Sequence, residues 1–354
     1  DETEADIIIV NSCCFIGDAK EESINTILEM AEQKKTGCCK SLIVTGCLTQ
    51  RYQDEVKKEI PEVDAILGTN SYDSIVEALE ETLQHKFYKN FHTLSGLPQL
   101  STKRTVTTGG HYAYLKIAEG CNKNCTYCVI PSVRGRYRSV PMDELVTSAE
   151  ELVAGGVKEL ILVAQETTLY GKDLYGEKCL HKLVEELCKI AGIRWIRILY
   201  CYPEEITNEL IEVMKREPKV CHYLDLPIQH ASDGILKRMG RRTSKQELID
   251  IVKKLRKEIP DICLRTTLIT GFPGETQEQH EELIQFVDEM EFDRLGVFTY
   301  SPEEDTPAAV MPDQIEEEVK EEQEQVTEEN KEQVIEEAKE EAKKEPEKIN
   351  IYYV

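Results

Sequence analysis

Three cysteines stand on one short stretch of the chain, Cys121-Asn-Lys-Asn-Cys125-Thr-Tyr-Cys128. The spacing is C-x3-C-x2-C. Three thiolates on so short a loop can hold three irons of a cubane iron–sulfur cluster, which leaves the fourth iron without a protein ligand. An open metal position is what a reactive site needs, whereas a purely structural site is closed by four ligands. Gly120 lets the chain turn into the loop, and Asn122 and Asn124 suit its tight backbone. A structural zinc ion is the alternative. Zinc would want a fourth Cys or His at a similar spacing, and residues 129–178 supply none.

The elements that must carry this loop follow from the alternation of apolar runs and helical patterns. Over 111–300 the sequence predicts strands at 112–117, 159–163, 195–199, 223–226, 263–269 and 294–299. Helices fall between them, for example at 142–154, 178–191, 245–259 and 277–290. Six such units make a partial, six-stranded βα barrel of the TIM type. Its site lies at the carboxyl ends of the strands, and the cysteine loop follows the first of them.

Residues 1–85 alternate in the same way. Strands at 6–11, 41–45 and 63–67 are interleaved with helices at 19–34, 51–60 and 72–83, so a parallel sheet with helices on its faces is expected. Cys13 follows the first strand and Cys47 the second, which puts two thiols at the ligand-binding edge of that sheet. The stretch 86–109 reads as a linker. The expected divisions are therefore an N-terminal unit 1–85, a linker 86–109, a barrel unit 110–309 and a tail 310–354. The tail is Glu- and Lys-rich, with a thin apolar stripe at Ile315, Val319 and Val326. It reads as a solvated helix or a disordered segment.

Composition narrows the function classes. Of the 354 residues 40% are hydrophobic, enough for cores of ordinary size, and no apolar run nears the roughly 20 residues of a membrane span. The formal net charge is −24, which argues against direct nucleic-acid binding by electrostatics. The first residues carry neither a basic nor an apolar stretch of a signal peptide. Thirteen cysteines in so long a chain point to a reducing, cytoplasmic compartment and metal-binding thiolates rather than disulfides.

With Tyr127 before the last cysteine and a βα barrel around it, the loop resembles the radical S-adenosylmethionine superfamily. That resemblance implies that the open iron chelates the amino and carboxylate groups of S-adenosylmethionine. One electron then cleaves the S–C5′ bond to give a 5′-deoxyadenosyl radical. More specifically, the run from Tyr114 to Gly135 resembles the methylthiotransferase family. So do Val10-Asn11-Ser12-Cys13, Ala19-Lys20-Glu21-Glu22-Ser23 and Gly46-Cys47-Leu48-Thr49-Gln50-Arg51-Tyr52. In that family the N-terminal unit is flavodoxin-like and holds a second 4Fe–4S cluster through three cysteines. Cys13 and Cys47 match two of them. The third is expected in a Gly-Cys-x-x-Asn loop before Asp1, so the natural protein is expected to be longer there, and this chain to lack one ligand and its first strand.

Three motifs separate the family's branches. Ala164-Gln165-Glu166-Thr167-Thr168, Tyr200-Cys201-Tyr202-Pro203 and Pro227-Ile228-Gln229-His230-Ala231-Ser232-Asp233 resemble the branch that modifies an aspartate of the twelfth protein of the small ribosomal subunit. The alternatives are the transfer-RNA adenosine branch and a catalytically incomplete iron–sulfur protein. The resemblance implies a ribosomal protein as substrate and an electron donor such as flavodoxin or ferredoxin. Gln165 and Glu166 become candidates for binding S-adenosylmethionine, with Thr167 and Thr168 as simple helix caps the plainer reading. Gln229 and His230 are candidates for ligand or substrate contact, and His230 could equally order its loop. Gly271 and Gly274 could let backbone approach the cofactor closely. The family's usual C-terminal β-barrel, which grips substrate, is replaced here by the acidic tail, with only Ile349–Val354 strand-like.

Overall fold

The computed structural model describes residues 1–97 and 104–329. The first sheet is parallel, in the order β1 (Ile7–Ser12), β2 (Ser41–Gly46), β3 (Ala65–Leu67), β4 (Tyr88–Asn90). Every residue of β2 is buried, as a parallel strand covered on both faces must be. That is why it reads as an unbroken apolar run. β4 falls inside the stretch expected as a linker. Its Tyr-Lys-Asn sequence carries no apolar alternation, because an edge strand half-open to solvent is held by backbone pairing to β3 rather than by burial.

The register of β1 on β2 runs from Ile7 opposite Ser41 to Ser12 opposite Gly46. Cys13 and Cys47 therefore leave two neighbouring strand ends at the same level. Gly46 has φ +105, and a Cβ there would lie 2.3 Å from the Ser12 carbonyl. Only glycine lets the strand turn straight into the helix Cys47–Tyr52 at that point.

The second sheet has the order β12-β11-β10-β9-β8-β5 and is parallel throughout. After β5 (Tyr112–Lys116) the chain forms a two-residue antiparallel pair, β6 (Ala118–Glu119) with β7 (Arg138–Ser139), which pinches the cysteine loop shut at its base. Then follow β8 (Glu159–Val163), β9 (Trp195–Ile198), β10 (Val220–Asp225), β11 (Cys263–Thr270) and β12 (Arg294–Thr299). The six expected barrel strands are all present. β10 starts three residues early because it joins β9 through a register shift between Val220 and Leu224. The barrel core is aliphatic, built on Leu160, Leu162, Ile196, Ile198, Leu224 and Leu264.

Contacts on two sides hold the units together. Val133, on the helix Ile130–Arg134 that follows Cys128, packs in the core of the first unit, and its carbonyl accepts from Thr69 Oγ1 at 2.8 Å. On the other side Arg51 pairs with Glu303 at 3.5 Å, both side chains buried, and the Tyr52 hydroxyl donates to Glu304 at 2.8 Å.

Residues 317–329 are helical, as the tail pattern allows, but the face they bury is not the apolar stripe. Val319 and Val326 are exposed, whereas Lys320, Gln323 and Thr327 are buried. The helix lies over the polar carboxyl ends of β11 and β12, where Lys320 Nζ donates to the Tyr300 carbonyl at 3.2 Å. That surface rewards hydrogen-bonding side chains rather than valines. The rest of the tail, including Ile349–Val354, lies outside the described residues. Among the described residues no helix is long and apolar enough to cross a membrane.

Candidate functional site

The cysteine loop leaves β6 at Gly120, whose amide donates to Gln165 Oε1 at 2.8 Å. Gln165 thus ties the strand end after β8 to the first turn of the loop. A Cβ on Gly120 would sit 2.3 Å from the Arg136 carbonyl, so the two arms of the loop can close only around glycine. The far arm is fixed by Thr126, whose amide donates to the Met239 carbonyl at 3.0 Å and whose hydroxyl donates to the Arg238 carbonyl at 2.8 Å.

Cys121 and Cys125 are buried and Cys128 is half-buried. Burial pushes the Cys121 thiol up to about 11 and the Cys128 thiol to about 12, and in Cys128 the neighbouring Cys125 and Cys121 add to the effect. Buried thiols that raise one another are poor acids without a cation. A metal centre taking the protons' place removes that cost, so the donor set fits a thiolate-bound cluster. Among the described residues no three Cys, His, Asp or Glu side chains, Cys121, Cys125 and Cys128 included, converge on one ion; a cubane would instead take each of these cysteines on a separate iron.

Glu166 is fully buried. Its Oε1 accepts from the Thr168 amide at 2.9 Å and from the Thr168 hydroxyl, and Oε2 faces Lys123 Nζ of the cysteine loop at 3.8 Å. Burial raises its carboxyl to about 7, against the lowering by Thr168 and Lys123. Gln229 has φ +73, and its carbonyl accepts from the Ile269 amide at 2.8 Å. His230 is fully buried. Its Nδ1 accepts from the Ser232 amide at 3.0 Å and its Nε2 stands 3.3 Å from Glu275, which also meets His280 at 3.2 Å. Burial would raise Glu275, but the two imidazoles hold its carboxyl down at about 2. His230 thereby orders the Gly271–Glu275 turn. The groups packed on the two glycines of that turn are the chain's own, Lys320 on Gly271 and the Arg238 guanidinium on Gly274.

In the first unit Cys13 is exposed, and its amide donates to Ser23 Oγ at 2.9 Å. Cys47 is buried, and Arg134 Nη2 donates to its sulfur at 3.5 Å. Cys14, between them, is fully buried. Burial first, then the nearby Cys47, raises its thiol to about 11. Sequence neighbours of Cys13 and of Cys128 line one cavity. This cavity of about 570 Å³ has Phe15, two residues past Cys13, on one wall and Tyr127, next to Cys128, on another; Gln229, Thr267, Phe298 and Glu317 complete the outline.

Sequence reasoning passed over Lys123 and Arg241 altogether and used Tyr202 only to tell branches apart. All three gather at Cys125, whose sulfur lies 3.4 Å from the Tyr202 hydroxyl. Tyr202 follows β9 at its carboxyl end, and that position alone was a signal for a site residue.

Comparison with known proteins agrees with this geometry. Residues 115–287 match the radical SAM superfamily, and residues 1–68 match an uncharacterized protein family designated UPF0004. The chain is 66% identical over 320 residues to the ribosomal protein uS12 methylthiotransferase RimO of Lachnoclostridium phytofermentans, covering 90% of this chain and 73% of that protein. This chain belongs to the RimO family of radical SAM methylthiotransferases. Other members of the RimO family include the proteins of Clostridium botulinum strain Langeland, 55% identical over 90% of this chain and 72% of its own length, and of Geobacter sulfurreducens, 54% identical over 91% and 72%. Among solved structures the fold is similar to the radical S-adenosylmethionine methyltransferase TsrM from Kitasatospora setae. The TM-score is 0.62 at 13% identity, over 87% of this chain and 66% of that one. The cobalamin-dependent radical enzyme OxsB gives 0.54 at 13% identity, over 95% and 48%. Membership in the RimO family implies S-adenosylmethionine and a 4Fe–4S cluster as cofactors.

Proposed function

We propose that this chain adds a methylthio group to the β-carbon of an aspartate of ribosomal protein uS12. The observation that carries the reading is a cavity lined both by Phe15, two residues past Cys13, and by Tyr127, beside Cys128. The high identity to proteins named as uS12 methylthiotransferases supports the substrate, and favours it over transfer-RNA adenosine.

In this reading Cys121, Cys125 and Cys128 hold a 4Fe–4S cluster, and Cys13 and Cys47 contribute to a second one. The barrel unit 110–309 then serves the radical step and the N-terminal unit 1–85 the sulfur. When bound, the reduced cluster and S-adenosylmethionine supply a 5′-deoxyadenosyl radical. The residues of this chain do the rest by position. Gln165 and Gly120 set where the loop leaves the barrel. Glu166 faces the loop through Lys123. The His230–Glu275 pair fixes the turn at the end of β11. Gln229 and Tyr127 line the space in which the substrate aspartate would reach both groups. A one-electron donor of flavodoxin or ferredoxin type completes the system.

The test is mass spectrometry of uS12 from cells with and without this gene. Loss of the methylthio mass from the aspartate is the expected result; an unchanged modified aspartate refutes the assignment. Iron analysis after anaerobic reconstitution addresses the second cluster: about eight irons per chain indicates both clusters, about four only the first.

A further inference from the structure

Tyr202 places its hydroxyl 3.4 Å from Cys125 Sγ. Two cations clamp its ring. Lys123 Nζ is 4.6 Å from the ring centroid and the Arg241 guanidinium carbon 4.2 Å. These distances are well inside the range of cation–π attraction, which holds the ring in place and draws charge from its oxygen.

The two cations differ in how much of their charge is already matched. Lys123 is paired with Glu205 at 2.5 Å, Glu204 at 3.2 Å and Glu166 at 3.8 Å. Arg241 is not. It is buried and donates one hydrogen bond, from Nη2 to the Pro227 carbonyl at 2.8 Å. Its Nε and Nη1 have no hydrogen-bond partner among the described residues. The carboxylate on its side, Glu204, is held by Lys123 and by the Thr243 hydroxyl at 2.9 Å. A buried guanidinium so weakly compensated carries a cost unless a negative group stands near it. The anionic group this site offers is a thiolate-ligated cluster at Cys125.

We propose that Tyr202 and Arg241 set the reduction potential of the cluster held by Cys121, Cys125 and Cys128. The inference rests on the assignment of those three ligands. Once Cys125 is a thiolate, its sulfur can only accept, and the phenol donates. A hydrogen bond to a ligand sulfur and a desolvated positive charge both favour the state with one more electron, so both raise the potential. Tyr202 acts on the sulfur directly and Arg241 through space and through the ring it covers. Both are positioning residues, acting on how readily the electron enters.

The test is an EPR-monitored redox titration of the full chain without S-adenosylmethionine. A Cys13→Ser/Cys47→Ser background leaves one cluster to read. Tyr202→Phe and Arg241→Gln should each load iron and sulfide as the parent does and show a more negative midpoint. Arg241→Lys should return towards the parent value because the charge is retained. Loaded clusters with unmoved midpoints in both variants overturn the inference and leave the ligand assignment standing. A parent whose iron content equals that of Cys121→Ser overturns the ligand assignment and the inference with it.

Discussion

The guanidinium of Arg134 bridges the two units: Nη2 lies 3.5 Å from the sulfur of Cys47, and Nη1 lies 3.5 Å from Glu119 Oε1. Glu119 is buried two residues before Cys121 and is also paired with Lys116. The bridge therefore ties the strand end that carries Cys47 to the base of the three-cysteine loop. Arg134 can span it because the short helix Ile130–Arg134 docks into the first unit through Val133.

Removing the bridge leaves a buried Glu119 oxygen with less compensation. Arg134→Ala should destabilise the metal-free protein by about 1–3 kcal/mol, because it takes a cation from a buried carboxylate oxygen that has no hydrogen-bond partner. Anaerobic urea denaturation measures it. An unchanged midpoint would show that Lys116 alone satisfies Glu119. The same variant should load less iron at the first unit while the three-cysteine loop keeps its complement.

The two cysteine groups should separate cleanly by assay. Cys121→Ser, Cys125→Ser and Cys128→Ser should each abolish 5′-deoxyadenosine formation, since three thiolates are the fewest that hold a site-open cubane. Cys13→Ser and Cys47→Ser should retain 5′-deoxyadenosine yet form no methylthio product. Chromatography of anaerobic reaction mixtures decides it. Full 5′-deoxyadenosine from a Cys125→Ser protein would remove that thiol from the ligand set.

Glu166 supplies a pH dependence. Its folded value of about 7 lies above the ordinary 4.5, so the folded chain binds this proton more tightly than the unfolded chain. The contribution is complete below pH 4.5 and is lost as pH rises through about 7. The difference of about 2.5 units is worth about 3 kcal/mol. Thermal melts of the metal-free protein should therefore fall between pH 5 and 8, and Glu166→Gln should flatten that slope. Lys123 keeps Glu204 and Glu205 in the variant, so it is not left unpaired. Equal slopes in the two proteins would mean that Lys123 keeps Glu166 ionised throughout.

Much of this is legible in the sequence. The C-x3-C-x2-C spacing marks Cys121, Cys125 and Cys128, and strand–helix alternation places both cysteine groups at carboxyl strand ends. Those signals are local and periodic. What stayed hidden depends on residues far apart in sequence. Tyr202 meets Cys125 across 77 positions and Arg134 meets Cys47 across 87, with no pattern to announce either. Lys320 on Gly271 was hidden for another reason. The helix 317–329 covers polar strand ends, so its buried face is not its apolar one. His230 was left open between ligand and loop, and its pairing with Glu275 is a fact of tertiary packing that no single motif contains.

The last prediction concerns the turn that brings Cys47 level with Cys13. Gly46 sits at φ +105, ψ −155, a region essentially closed to residues with a side chain. A Cβ there would lie 2.3 Å from the Ser12 carbonyl oxygen and 2.7 Å from Asn11 Oδ1. The Asn11 side chain can rotate away, but the Ser12 carbonyl belongs to β1 and cannot. Gly46→Ala must therefore part the ends of β1 and β2, and with them Cys13 and Cys47. The backbone conformation alone costs of order 1–3 kcal/mol, before the clash is counted. Methylthio transfer should fall further than stability does, because the spacing of the two proposed ligands depends on this contact. The three-cysteine loop is in the other unit and should still support 5′-deoxyadenosine formation. A Gly46→Ala protein with full transfer activity would mean that Cys13 and Cys47 need not be held at this spacing.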